Sequence, residues 1–295
     1  MERFKKFTSA YFRIGVIVVL AVGVVCIWYT IFYLESHQNL VVTFFDVGQG
    51  DSAFIETPNG NQVLIDGGPS DAVLSKLGRI LPFWDRSIDM LVLTHAHADH
   101  VGGLIDVLAR YRVGRVVESG EAYGTPDYQE WHTRIAKKQI PVVIAYRGQS
   151  IDLGGGVILR VLSPFENYEG VSVKNVHDGN VSTKLEYGST SMLFTGDAEK
   201  LIEYRLVSED QGELQSDILK VGHHGSKTSS TEAFLRAVQP DFAIISSGRK
   251  NRYGHPHQDV LDRLAAFGVS ILRTDIDGDI QIESDGETLV IDGAR

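Results

Sequence analysis

The stretch Thr94-His95-Ala96-His97-Ala98-Asp99-His100 decides how this chain is interpreted. It follows an apolar run at 90–93, which predicts a buried strand that delivers three imidazoles and a carboxylate into a loop. Neutral imidazole and carboxylate are ligands that zinc and related divalent cations prefer. Histidines this close would repel one another when protonated without a metal. The heptapeptide therefore predicts a metal site.

The spacing within this motif predicts two neighbouring sites. In a tight loop, His95 and His97 face one metal, and Asp99 and His100 face the other. Two-metal hydrolases hold their cations about 4 Å apart and often share a bridging carboxylate. That carboxylate has to come from elsewhere, and Asp197 is the candidate because it follows a predicted strand and a glycine. The alternative is that this aspartate is only a turn residue.

Further histidines extend the candidate ligand set. His223 and His224 follow an apolar strand, and adjacent strand residues point in opposite directions. We therefore expect one of them to bind metal and the other to contact substrate, and the sequence leaves the choice open. Ser226 is a candidate substrate contact beside this pair. His177, before the strand that leads to Asp197, is either one more ligand or a loop histidine.

A last polar cluster reads Asn251-Arg252-Tyr253-Gly254-His255-Pro256-His257. We expect His255 to protonate a leaving group or to bind an anion. Asn251 and Arg252 are the candidate substrate contacts beside it. The alternative is a surface loop with two solvated histidines.

The first forty residues differ from the rest of the chain. Four basic residues and one acid occupy the first 13 positions, and an apolar run without charged side chains follows at 14–34. Such a run is long enough to cross about 30 Å of hydrocarbon as a helix. A cleaved signal peptide would have a shorter apolar core and a small-residue cleavage site. We therefore predict that residues 1–36 form a cytoplasmic basic N-terminus and a single transmembrane anchor, with residues 37–295 as one domain outside the cell membrane.

The remaining composition describes an acidic globular domain. The net charge is −10 in spite of the basic N-terminus, which argues against indiscriminate nucleic-acid binding but leaves room for a local basic groove. The single cysteine, Cys26, lies in the apolar run. The predicted domain therefore contains no disulfide.

The hydrophobic pattern alternates short strands with helices in both halves of the domain, and it shows no clear repeat. Strands are predicted at 40–46, 52–56, 62–66, 90–94, 113–117, 142–145, 157–162, 183–187, 191–195, 218–221, 242–246, 269–273, 279–283 and 288–291. Helices are predicted at 71–80, 102–110, 128–139, 231–237 and 258–267. Each half is expected to form a mixed sheet with helices on one face. This pattern predicts an α/β fold, a four-layer αββα sandwich preceded by one transmembrane helix.

These motifs resemble those of the metallo-β-lactamase superfamily, and within it the hydrolase domain of the ComEC-type competence proteins. The resemblance runs from Val42 to about Ile291. The matching stretches are 45–52, 64–68, 94–103, 195–198, 220–226, 246–248 and 251–256.

The resemblance implies a binuclear Zn²⁺ or Mn²⁺ site. The first-motif histidines and Asp99 would bind metal, Asp197 would bridge, and one histidine of the 223–224 pair would be a ligand. Asp66 would act from behind the site as an orienting group, and His177 is the nearby candidate for the remaining ligand. The competence proteins also carry a multi-helix channel. Because this chain shows one apolar span, a separate channel protein is the expected partner.

The predicted function is that of a metal-dependent hydrolase outside the membrane, a phosphodiesterase or nuclease in which Asp99 also steers the nucleophile. DNA is the first substrate to consider. The alternatives are a cell-envelope phosphodiester of the teichoic-acid type, and a lactone or thioester. A different class is a binding subunit for DNA uptake that keeps the fold without turnover.

Overall fold

The structure is a computed structural model that describes residues 2–36, 39–173, 175–209 and 212–292. It divides the chain into two compact units, Met1–Asn39 and Leu40–Arg295. The first unit contains helix α1 (Glu2–Ser36), within which Arg13–Thr30 is long and apolar enough to span a membrane. His37, where the predicted domain begins, lies outside the described residues.

The second unit consists of short strands and helices that alternate along the chain. Its strands are β1 (Leu40–Phe44), β2 (Ala53–Glu56), β3 (Gln62–Ile65), β4 (Ser87–Val92), β5 (Arg112–Glu118), β6 (Val142–Ile144), β7 (Ser150–Gly154), β8 (Val157–Ser163), β9 (Ser182–Tyr187), β10 (Thr190–Phe194), β11 (Ile218–Lys220), β12 (Phe242–Ile245), β13 (Ser270–Arg273), β14 (Ile280–Ser284) and β15 (Leu289–Asp292). Its helices are α2 (Ala72–Ile80), α3 (Ala98–Arg110), α4 (Pro126–Lys138), α5 (Lys200–Glu209), α6 (Glu232–Val238), α7 (Gln258–Ala266) and α8 (Thr274–Asp277).

The strands form two mixed sheets. The first has the order β15-β14-β1-β2-β3-β4-β5-β6, and the second has the order β13-β12-β11-β10-β9-β8-β7. Strands β3 to β6 are parallel to one another, as are β10 to β13. The expectation that each half of the chain forms its own sheet is wrong at one point. The C-terminal hairpin β14–β15 joins the first sheet, where β14 pairs antiparallel with β1.

Three elements, α5, α8 and β7, have no counterpart in the sequence prediction. Helix α5 is only weakly amphipathic, so its apolar residues show no clear helical period. Helix α8 is a single turn. Strand β7 lies at the edge of the second sheet and turns only Ile151 and Leu153 toward the core, which is too short an alternation to predict a strand.

Three apolar layers hold the sheets and helices together and confirm the predicted αββα sandwich. One core lies between the sheets, where the rings of Phe44 and Phe194 stack with centroids 5.6 Å apart. A second core, which includes Leu104 and Trp131, joins the first sheet to its helices. A third, which includes Phe234 and Leu264, does the same for the second sheet. Full burial of each such side chain contributes about 1.5–3 kcal/mol.

Helix α3 packs unusually close to the loop that follows β3. A Cβ atom at Gly103 would lie 1.9 Å from the carbonyl oxygen of Gly67, and one at Gly67 would lie 2.4 Å from the backbone nitrogen of Leu104. The backbone N–H of Gly67 donates to the carbonyl of His100 at 2.8 Å. The two glycines therefore bring the first turn of α3 against the end of β3.

We predict that Gly103→Ala lowers the free energy of unfolding by roughly 1–3 kcal/mol, because the added methyl group forces the helix away from the loop. The matched control is Gly78→Ala in helix α2, where an added Cβ meets nothing within 4 Å. The control should stabilise by about 0.5–1 kcal/mol, the ordinary helix preference for alanine over glycine. Urea unfolding of both variants measures the difference, and equal effects would contradict the close-packing argument.

Candidate metal centre

The chemically active side chains gather where parallel strands end. Asp66 follows β3, the heptapeptide follows β4, Asp197 follows β10, and the histidine pair follows β11. The carboxyl ends of parallel strands meet at one edge of a sheet, which is where open α/β sheets commonly bind ligands. Because the two sheets face each other, their loops meet over one site.

The heptapeptide is not entirely a loop, which corrects the prediction. His95 and His97 are extended, but α3 begins at Ala98, four residues earlier than predicted. Asp99 and His100 therefore lie in the first turn of the helix. An acidic residue is favourable there because it faces the positive end of the helix dipole. The two halves of the motif still face two different groups of residues.

The first ligand cluster consists of His95, His97, His177 and Asp197, each with a ligand atom within 4.8 Å of the others. His95 Nε2 lies 3.0 Å from His97 Nδ1 and 3.6 Å from Asp197 Oδ2. His177 is 7% exposed and its ring centroid lies 5.2 Å from that of His95. The structure thus brings His177, which the sequence left open, into this cluster.

The second ligand cluster consists of Asp99, His100 and His224, and it meets the same distance criterion. His224 Nε2 lies 3.3 Å from Asp99 Oδ2. Asp197 adjoins this cluster through its other oxygen, because Oδ1 lies 3.4 Å from His100 Nε2 and 3.6 Å from His224 Nε2. The two oxygens of Asp197 therefore face one cluster each, which is the arrangement that a bridging carboxylate needs.

The assumption that the adjacent histidines alternate like strand residues is wrong, whereas the choice between them as metal ligand stays a prediction. His223 and His224 both have left-handed backbone angles, with φ of 50° and 54°. They are therefore not extended, and the alternation of a strand does not apply to them. His224 joins the second cluster, whereas His223 lies with His177 and Glu199, its Nδ1 3.3 Å from Glu199 Oε1. Glu199 had no predicted role.

Buried carboxylates hold the histidine ligands from behind. Asp66 is fully buried and lies 2.8 Å from His100 Nδ1, and it accepts hydrogen bonds from the backbone N–H and the hydroxyl of Thr94. It positions His100 and does not itself reach the open side. His224 Nδ1 lies 3.0 Å from the carbonyl oxygen of Ser246 and 3.1 Å from Asp51 Oδ1, so a backbone oxygen and a carboxylate share this part for His224. Such partners fix the orientation and tautomer of a ligating imidazole.

Sequence analysis assigned no role to Asp51 or to Lys220. The ammonium of Lys220 contacts Asp51 Oδ2 in an ion pair that is almost fully buried. A lysine at the end of an apolar strand is the signal that could have identified it, because a buried lysine needs an acidic partner. The partner itself could not be named from the sequence.

The pKa values of the buried histidines shift in two directions, upward where carboxylates dominate and downward where burial dominates. Burial opposes charge on His100, yet the carboxylates of Asp197 and Asp66 hold its pKa well above the ordinary value. Burial likewise opposes charge on His224, and Asp197 and Asp51 nevertheless raise its pKa to about 10. Burial lowers the pKa of His177 to about 4. Without metal, the carboxylates therefore favour the protonated forms of His100 and His224, and burial favours the neutral form of His177.

The donor set fits divalent cations. The buried atoms His100 Nε2, His224 Nε2 and Asp197 Oδ1 have no hydrogen-bond partner among the described residues, and the same holds for both ring nitrogens of His177. Buried polar atoms without partners are costly. The five atoms named here belong to the two clusters, although other buried polar atoms of the described residues also have no partner. Nitrogen with carboxylate oxygen is the ligand set of zinc-type metals.

The remaining predicted residues lie in the rim of the site. His255 is half-buried, its ring centroid 5.6 Å from that of His223, and burial lowers its pKa to about 4. Asn251 uses its amide to hold the loop. It donates to the carbonyls of Gly248 and His255, and its side-chain oxygen accepts from the backbone N–H groups of Tyr253 and His255. Arg252 is exposed and donates to the Tyr253 hydroxyl. Ser226 is buried and bonds to Thr228.

Comparison with known proteins agrees with this geometry. Residues 45–249 match the model of the metallo-beta-lactamase superfamily, and the chain belongs to that family. The chain is 33% identical over 257 residues to ComE operon protein 3 of Bacillus subtilis (strain 168), covering 81% of this chain and 32% of that protein. It is 34% identical over 246 residues to competence protein ComA of Neisseria gonorrhoeae, covering 83% of this chain and 32% of that protein. Both are competence proteins of the ComEC family, and the chain spans about a third of their length.

Among solved structures, the chain is similar to Igni18, described as a novel metallo hydrolase from Ignicoccus hospitalis KIN4/I. The TM-score is 0.53 at 14% identity, and the match covers 82% of this chain and 98% of the other. At this identity the likeness shows the fold alone. Together with the family match, it identifies a metal-dependent hydrolase of the metallo-β-lactamase fold, related to competence proteins.

We predict that Asp66→Asn weakens Zn²⁺ binding by roughly 10- to 100-fold, because the amide no longer fixes the orientation and tautomer of His100. The control Asp106→Asn lies on the same helix α3, two turns beyond Asp99 and outside both clusters. Competition with a chromophoric chelator measures both affinities. Binding by Asp66→Asn as tight as that of the control would refute the positioning role.

We also predict that metal binding at pH 7 releases about one to two protons, because the cation displaces those on His100 and His224. The apparent affinity should therefore rise with pH while the pH stays below the pKa values of these imidazoles. Calorimetry in buffers of different ionisation enthalpy counts the protons. Heats that do not depend on the buffer would show that these histidines are neutral before metal binds.

Proposed function

We propose that this protein is a phosphodiesterase that uses two divalent cations, Zn²⁺ or Mn²⁺, held by the two ligand clusters. The observation that supports this most strongly is Asp197, whose two oxygens each face one cluster. His95, His97 and His177 would hold one cation, and Asp99, His100 and His224 the other. When bound, such a pair lowers the pKa of water and neutralises charge that develops on a phosphoryl group.

The residues of the chain have separate tasks in this proposal. The side chain of Asp99 is 30% exposed, so its carboxylate reaches both the second cluster and the open side, where it can accept a proton from water and orient it. His223 and His255 line the rim on the side of the histidine pair. From there they would contact the leaving group. Asp66 and Asp51 keep the ligands in place and take no part in proton transfer.

DNA is the first proposed substrate because the similar proteins belong to the ComEC family of competence proteins. The acidic charge of the chain counts against tight binding of DNA. The second candidate is a cell-envelope phosphodiester of the teichoic-acid type, which suits an outward-facing anchor. A lactone or thioester is a third candidate, since the same activated water attacks carbonyl carbon. A non-catalytic binding subunit for DNA uptake would keep the fold without turnover.

The proposed location is the cell membrane, with α1 as a single-pass anchor. The basic residues before the span favour a cytoplasmic N-terminus and an extracytoplasmic catalytic domain. A separate channel protein would be the partner in DNA uptake. Protease added to intact cells tests the orientation, because a protected domain would contradict it.

We predict that the protein hydrolyses bis(p-nitrophenyl) phosphate with Mn²⁺ or Zn²⁺, and that Asp99→Ala lowers kcat/KM by at least about a hundredfold, since it removes a ligand and the group that orients water. Asp106→Ala, on the same helix, should retain wild-type activity. Hydrolysis is followed by p-nitrophenolate absorbance. The absence of metal-dependent turnover of any ester would favour the binding subunit. A parallel assay on single-stranded DNA, duplex DNA and teichoic acid separates the substrates.

A further inference from the structure

Two large aromatic side chains are exposed to solvent on the surface of the second unit. Phe83 is 80% exposed and Trp84 is 67% exposed, and their rings meet edge to face with centroids 4.8 Å apart. Ile80, at the end of α2, is 41% exposed. A concentration of exposed apolar side chains on a soluble surface is a sign of an interaction site. Residues 80–84 are called the aromatic loop below.

The topology places the aromatic loop at a particular end of the first sheet. Strands β1, β3, β4 and β5 all run in the same direction, because β1 and β3 are each antiparallel to β2 and the others are parallel. The loop immediately precedes β4, so it lies at the end where β1 begins with Leu40. Both ligand clusters lie at the opposite end, where these strands finish.

The connection to the membrane helix leads to the same end. Helix α1 ends at Ser36 and β1 begins at Leu40. Four residue steps reach at most about 14 Å, whatever their conformation. If α1 spans a bilayer, Leu40 is therefore tethered close to the surface of that bilayer. The chain therefore connects α1 to the end of the sheet that carries the aromatic loop.

The charges around the aromatic loop suit an anionic lipid surface. Exposed arginines stand at the end of α2, at the start of β4, at the end of α3 and at the start of β5, namely Arg79, Arg86, Arg110 and Arg112. Asp85 and Asp89 lie near these arginines, around Gln62, and offset two of the four positive charges, so the patch remains net basic. The acidic turn between β14 and β15 is four strands away in the sheet, about 19 Å at the usual strand spacing.

We propose that the aromatic loop rests in the headgroup region of the bilayer that α1 spans, with Phe83 and Trp84 inserted and the four arginines facing anionic lipid. Aromatic rings and basic side chains are the residues that favour this region. The contact directs the metal centre away from the lipid surface. This inference is independent of the proposed hydrolysis, because the loop and the ligand clusters lie at opposite ends of the sheet.

The test uses the full chain in vesicles of phosphatidylcholine with phosphatidylglycerol, carrying Trp28→Phe to remove the tryptophan of α1. Trp84 then remains with Trp131, which is fully buried and serves as an internal reference. Lipids brominated close to the headgroup quench indole emission at short range. We expect the Trp84 emission to fall by at least about half. Arg86→Glu/Arg112→Glu should reduce the quenching at least twofold, because basic residues are attracted to an anionic surface and acidic ones are repelled.

Two further variants separate the contributions. Trp28→Phe/Trp84→Phe should show no bromine quenching, whereas Leu201→Ser/Tyr204→Ser, which removes an exposed apolar pair from α5, should leave it intact. Equal emission in brominated and plain vesicles would overturn the proposal. A blue-shifted Trp84 emission without bromine quenching would overturn it too, because a protein would then cover the loop. Turnover of bis(p-nitrophenyl) phosphate by Phe83→Ser/Trp84→Ser, measured in parallel, reports on hydrolysis separately.

Discussion

The placement of one buried carboxylate, that of Asp197, is the constraint on which the centre depends. It comes from the second sheet and lies among imidazoles of the first. Its backbone N–H donates to the side chain of Asn180 at 2.9 Å, and Gly196 before it has φ of +52°, where a Cβ would lie 2.4 Å from the same asparagine oxygen. Burial would raise the pKa of Asp197, but His224 and His100 hold it well below the ordinary value. The carboxylate therefore remains charged in a place where an isolated charge would be very costly.

Much of the centre could be predicted because its chemistry is local in sequence. The heptapeptide contributes ligands to both clusters, and strand–glycine–aspartate was enough to identify Asp197 as the candidate bridge. The layers of the fold were predictable for the same reason, since apolar periodicity reports burial directly. The roles of individual ligands remain predictions, but the structure brings every predicted histidine and aspartate ligand into the two clusters or next to them.

What could not be predicted depends on backbone angles and on contacts between distant residues. The sequence does not show that His223 and His224 both have left-handed backbone angles. The expectation that their side chains point in opposite directions, as in a strand, therefore did not apply. The contacts of Asp51 with Lys220 and His224 join residues far apart in the chain. Asn251 looked like a substrate contact, yet its amide is occupied within its own loop. A polar side chain can contact a bound ligand or hydrogen-bond to the protein backbone. Only the folded structure shows which of these two roles it has.

The pairing of β1 with β14 has a consequence for how the protein is made. Leu40 pairs with Ser284, so the first strand of the domain finds one of its neighbours only when nearly the whole polypeptide has been synthesised. Contacts this distant in the chain form slowly. The first sheet is therefore incomplete until the end of the chain is available. Because side chains from both sheets build the centre, its metal ligands come together only when the two finished sheets have packed.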